Sequence, residues 1–142
     1  MKRLFILFLF LNCASATPSD NNTEDPFYTM ELSASQYLEM GFNLFQDKQF
    51  ARAALFFQAA IKTGNLNDRG RAMCYWFIGQ SNQALNNKDE AAEAYLFFTI
   101  VAQDIIENTY EINFVQESGI LINLEYATRF IETLWQERTG TP

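Results

Sequence analysis

"YLEMGFNLFQDKQFARAALFFQAA", residues 37–60, contains two apolar runs parted by Asp47 and Lys48, with Gly41 inside the first run. Apolar residues three and four apart gather on one face of a helix, so the stretch reads as two helices joined at that polar break. A glycine inside a helix costs about 1 kcal/mol relative to alanine, and its presence calls for close approach by a neighbouring part of the fold. Residues 75–98, "YWFIGQSNQALNNKDEAAEAYLFF", align with the first stretch without a gap, so the pattern is periodic. Tyr37 falls on Tyr75, Gly41 on Gly79, Ala53 on Ala91 and Phe57 on Tyr95. The sequence therefore predicts one helical hairpin made twice, each with an internal glycine.

The first copy contains Tyr37-x2-Met40-Gly41-x2-Leu44 followed by Ala53-x3-Phe57, and the second Tyr75-x2-Ile78-Gly79-x2-Asn82 followed by Ala91-x3-Tyr95. Both resemble the tetratricopeptide repeat (TPR) pattern, aromatic-x2-Leu-Gly-x2-Tyr and then Ala-x3-Phe. The resemblance covers residues 34–106. It implies an all-α fold of two right-handed, TPR-like helical-hairpin repeats, with Gly41, Ala53, Gly79 and Ala91 as the small residues where helices pack closely. The chain also departs from the pattern. Its period, from Tyr37 to Tyr75, is longer than the family's usual unit. The excess is assigned to the polar segment "TGNLNDRG", residues 63–70. The closing proline is missing, Asn82 stands in place of an aromatic, and Lys88 stands where Phe50 stands in the first copy.

The chain begins "MKRLFILFLFLNCASA". Two basic residues, an apolar run from Leu4 to Leu11 and the small-residue site Ala14-Ser15-Ala16 make residues 1–16 a secretory signal peptide, too short to span a bilayer. The expected location is periplasmic or secreted. Cys13 supports an alternative, lipidation and anchorage at an outer membrane, although Asn12 before it departs from the small residue usual at such sites. In that case the protein would be a lipid-anchored, pilotin-like envelope assembly factor. Once the signal is removed, Cys74 is the one cysteine left, and its apolar helix favours burial over reactivity.

Residues 17–33 read as a flexible leader of Asn, Asp, Thr and Pro, ended by Phe27, Tyr28 and Met30, which either dock on the first repeat or begin the fold. Asn21-Asn22-Thr23 is a glycosylation sequon, with meaning only in a eukaryotic secretory route. After the second repeat, "ENTYEIN" reads as a break and residues 107–142 as a capping helix and tail. The helix, over residues 113–137, carries Ile120, Leu124, Ala127, Ile131 and Leu134 as one apolar seam. Such a seam covers the exposed face of the last repeat, or joins another copy of the chain or a partner.

The 142 residues contain ten Lys and Arg, seventeen Asp and Glu, and no His, a net charge of −7. Removal of residues 1–16 takes two bases and no acid, leaving −9. This balance disfavours nucleic acid and anionic lipid. With no histidine, and one cysteine left once residues 1–16 are removed, the commonest general base, the commonest metal ligand and any thiolate cluster are missing. Asp89, Glu90 and Glu93 form the densest carboxylate group, but they fall near a helix start, where acids offset the helix dipole. Neither a phosphate loop nor a nucleophile motif occurs. The expectation is therefore no catalysis, no cofactor and no metal.

What is left is recognition of another protein or peptide. The resemblance implies that the first helix of each repeat lines a concave groove, here Leu38, Phe42 and Phe45, then Met73, Trp76, Gln80 and Gln83. The basic clamp of chaperone-binding family members is missing, since Leu38 and Trp76 occupy its positions. A groove of aromatics and glutamines suits an apolar or amphipathic partner segment. In a short array the same aromatics also serve as core, filled from within by the leader or the last helix.

Overall fold

The computed structural model describes residues 32–108 and 119–140. The segment expected to be a signal peptide, with Cys13, the expected leader up to residue 31, the sequon and most of the "ENTYEIN" break lie outside the described residues.

Among the described residues five helices follow in chain order: α1 (Ala34–Gln46), α2 (Phe50–Lys62), α3 (Asp68–Ala84), α4 (Lys88–Asn108) and α5 (Ile120–Thr139). The described residues are all-helical, without a strand. Each helix packs mainly on its neighbours in the chain. Helix α1 opens with a reciprocal cap in which the Ser33 hydroxyl accepts from the Gln36 amide and the Gln36 side chain accepts from the Ser33 amide at 2.8 Å. Each such capping bond satisfies a backbone donor that the first turn leaves free.

Both hairpins turn in the same way. The Gln49 amide donates to Leu44 O at 2.8 Å, and at the equivalent place in the second hairpin the Asn87 amide donates to Asn82 O at 2.9 Å. Lys48 (φ 59°) and Asn86 (φ 62°), also equivalent, occupy the left-handed region. Asn tolerates that conformation better than Lys does. Asn82, the departure from the aromatic pattern, is buried beside this turn. Its amide donates to Ile78 O at 3.1 Å, and its Oδ1 accepts from Asn87 at 3.4 Å, so the turn itself satisfies the polar side chain.

The glycines are explained by the second helix of each hairpin. A Cβ on Gly41 would lie 2.9 Å from the Phe57 ring, and one on Gly79 would lie 2.5 Å from the Tyr95 ring. Phe57 and Tyr95 are both fully buried, so neither ring can swing into solvent to make room. The close approach is thus made by an aromatic side chain. Ala53 and Ala91, one turn before those rings, are also fully buried.

Two apolar clusters result. One gathers Ala53, Phe57, Ala60, Cys74, Ile78 and Ala94, and the other gathers Tyr95, Phe98, Ala102 and Ile105 with Ile120 and Ala127 of α5. The C-terminal seam therefore faces α4: Ile120 and Ala127 are buried, and Leu124 and Ile131 pack against the same cluster. Ion pairs Lys88–Glu137, at 2.9 Å, and Asp89–Arg138 join the start of α4 to the end of α5. Both are exposed, and exposed pairs contribute about 0–1 kcal/mol each.

Three boundaries differ from the sequence expectation. The polar connector is shorter than residues 63–70, because Asn67 caps α3 by accepting from the Gly70 amide at 2.8 Å and the helix begins at Asp68. Glu107 and Asn108, expected in the break, complete α4. Helix α5 starts at Ile120, behind Gly119 at φ 67°, and runs to Thr139 rather than to residue 137.

Replacing either helix glycine with alanine is expected to destabilise the fold. Overpacking costs about 1–3 kcal/mol and the gain in helix propensity returns about 1 kcal/mol. Gly79→Ala, with the shorter contact, should lose more than Gly41→Ala. Urea unfolding followed by far-UV circular dichroism measures both, and a stabilised Gly79→Ala would refute the packing role.

Candidate functional site

The residues expected to line one concave groove divide between the two clusters. Leu38, Phe42 and Phe45 of α1 pack with the first, and Trp76 of α3 packs with the second. Phe77 packs with the first. Its ring lies 4.9 Å from Phe42, 5.0 Å from Phe45 and 5.4 Å from Phe57, so α3 fills the space beside α1 with its own aromatic. The repeat does not disclose Phe77, because its counterpart one period earlier is Glu39 and the position gives no repeated signal.

Trp76 sits among three rings, at 5.4 Å from Tyr95, 5.3 Å from Phe98 and 5.7 Å from Tyr126 of α5. The two glutamines beside it are engaged too. Gln80 donates to the Tyr95 hydroxyl at 2.9 Å, and Gln83 Oε1 accepts from Tyr95 at 2.8 Å and from Tyr126 at 2.9 Å. This network ties α3, α4 and α5 together, and Tyr126 is the member the sequence did not disclose. Met73 remains exposed, and a cavity of about 310 Å³ opens beside it and Trp76, reaching Ile105 and Ile120.

A larger opening lies on another face of α3. A groove of about 570 Å³ runs between α2 and α4 over a floor that includes Ala54, Ile78 and Ala94. Leu55 forms part of one wall and is 64% exposed; Phe97, in the other wall, is 42% exposed and stacks on Tyr75 at 5.2 Å. Large side chains left in water along a concave apolar surface mark a docking surface more often than isolated exposed residues do. Charge is divided along the rim, with Glu90 and Glu93 on the α4 side and Lys62 at the end of α2.

The chemistry available is limited. Among the described residues no group of three or more His, Cys, Asp or Glu is placed to hold a metal ion, and no helix is long and apolar enough to cross a membrane. Cys74 is fully buried, and burial pushes its thiol up to about 12. Burial also raises the Tyr95 phenol, with Tyr126 adding to the shift and the Gln80 hydrogen bond opposing it. Asp89, expected in a solvated helix start, has Arg138 as its partner. Comparison with known proteins finds no family model, no curated protein and no solved structure that matches this chain.

The two raised groups set an alkaline limit. Both are neutral in the fold and ionise more readily once unfolded, so their contribution is complete below the unfolded values of 9.0 for Cys74 and 10.0 for Tyr95. It is lost as pH rises from there through the folded values. Urea midpoints should be level between pH 7 and 8 and should fall above pH about 9. In Cys74→Ala that fall should be shallower. Equal slopes in the two proteins would show that the thiol does not contribute.

Proposed function

We propose that this chain is an exported, non-catalytic interaction module of TPR-like hairpins, holding an apolar or amphipathic segment of another protein. The open groove between α2 and α4, with Leu55 and Phe97 exposed in its walls, is the observation that carries this reading. Burial of one Leu or Phe side chain contributes about 1.5–3 kcal/mol, so two such anchors with the apolar floor supply a useful share of a micromolar affinity. Export follows from the basic, apolar and small-residue order of residues 1–16.

The concave residues Met73 and Trp76 belong to the same proposal as a second contact area, smaller because α5 and Tyr126 already cover part of it. Leu38, Phe42 and Phe45 act mainly through packing in this account, since Phe77 takes the place of a partner's side chain.

Immobilised protein, exposed to the envelope or secreted fraction of its source, tests the reading. Wild type should retain a specific partner. Leu55→Glu with Phe97→Ser should lose it while keeping its helical spectrum, because both positions are exposed. Equal recovery by the two proteins would remove the α2–α4 groove from the account.

A further inference from the structure

The reading of this groove as a docking surface leaves its occupant's chemistry open, and the inference rests on that reading. The α2 wall presents Ala51, Leu55, Gln58 and Lys62, four, three and four residues apart and hence one helical face. At about 1.5 Å per residue that face is roughly 16 Å long, the length of about three helical turns. The α4 wall presents Glu90, Glu93 and Phe97, again one face, with the two carboxylates at its N-terminal end. No strand edge exists among the described residues, so backbone pairing with an extended peptide has nothing to build on there. Side-chain ridges in an apolar trough between two helices accept a third helix.

We propose that the groove takes an amphipathic helix of about three turns from another protein, with Lys or Arg on the flank that meets Glu90 and Glu93. The apolar stripe of that helix seats against Leu55, Phe97 and the alanine floor, and its basic flank supplies the charge the α4 wall is missing. The protein's net charge of −7 draws such a partner in from a distance and repels acidic competitors. The chain's own leader does not supply this charge, because no Lys or Arg occurs between Arg3 and Lys48, whereas Asp20, Glu24, Asp25 and Glu31 do occur there. A second copy carries the same acidic excess.

The test uses the full chain and two synthetic peptides of about 15 residues, enough for the three turns and their ends, each bearing fluorescein. Each has one leucine face, and one flank is all Lys in the first and all Glu in the second. Fluorescence anisotropy should show the Lys peptide binding about tenfold more tightly, a preference that shrinks in high salt. Glu90→Lys with Glu93→Lys should invert the preference. Glu125→Lys with Glu132→Lys, equal in charge but on α5, should leave it unchanged. Leu55→Glu should abolish binding of both peptides.

Equal binding of the two peptides, lost in Leu55→Glu, would overturn the basic flank and leave the docking surface standing. Failure of the Lys peptide to bind, or binding indifferent to Leu55→Glu, would overturn the helix proposal and the groove's role in the preceding section together. Sedimentation equilibrium showing a dimer that Leu55→Glu disperses would make a second copy the occupant and overturn the proposal.

Discussion

The absence of a side chain at Gly41 and Gly79 is the constraint on which the hairpins depend. In each case an aromatic ring from the following helix occupies the space a Cβ would need, at 2.9 Å for Phe57 and 2.5 Å for Tyr95. The helix pays for its glycine in propensity, about 1 kcal/mol, and the hairpin recovers that by burying a whole ring. From Phe57 and Tyr95 the packing spreads outward. Phe57 stacks on Phe77 and so fastens the second hairpin to the first, while Tyr95 meets Trp76, Tyr126 and Phe130 and so fastens α5.

The same arrangement produces the groove. Helix α3 packs between α2 and α4, and its Tyr75, Ile78 and Asn82 line the trough that those two helices flank. Small residues, Ala54 and Ala94, keep the floor low, and the exposed Leu55 and Phe97 raise the walls. On the proposed reading, recognition depends on which side chains fill the trough and which charge meets Glu90 and Glu93. Fold and trough are linked through α3, because this helix also carries Gly79 and the residues that hold α5.

Much of the architecture was legible in residues 37–98. The register that sets Tyr37 on Tyr75, the glycine and alanine spacing and the polar break at Asp47 and Lys48 each predicted a feature that the helices and turns display, down to equivalent backbone hydrogen bonds. The seam on α5 was legible too, since a run of four- and three-residue spacings has one apolar face to bury. The site was less legible. Phe77 and Tyr126 have no counterpart one period away, and Gln80 and Gln83 look like surface rungs until Tyr95 and Tyr126 are brought to them by tertiary packing. Exposure at Leu55 and Phe97 is likewise a property of how the helices sit, because in the sequence both read as ordinary members of apolar runs.

A double-mutant cycle on Gly79 and Tyr95 addresses the central claim most directly, because it separates ring contact from helix propensity. Four proteins are compared by urea unfolding: wild type, Gly79→Ala, Tyr95→Leu and the double variant. If ring packing is the reason for the glycine, Gly79→Ala costs about 2 kcal/mol in wild type and is neutral or favourable by up to about 1 kcal/mol in the Tyr95→Leu background. The same change in both backgrounds, whatever its size, would contradict the account.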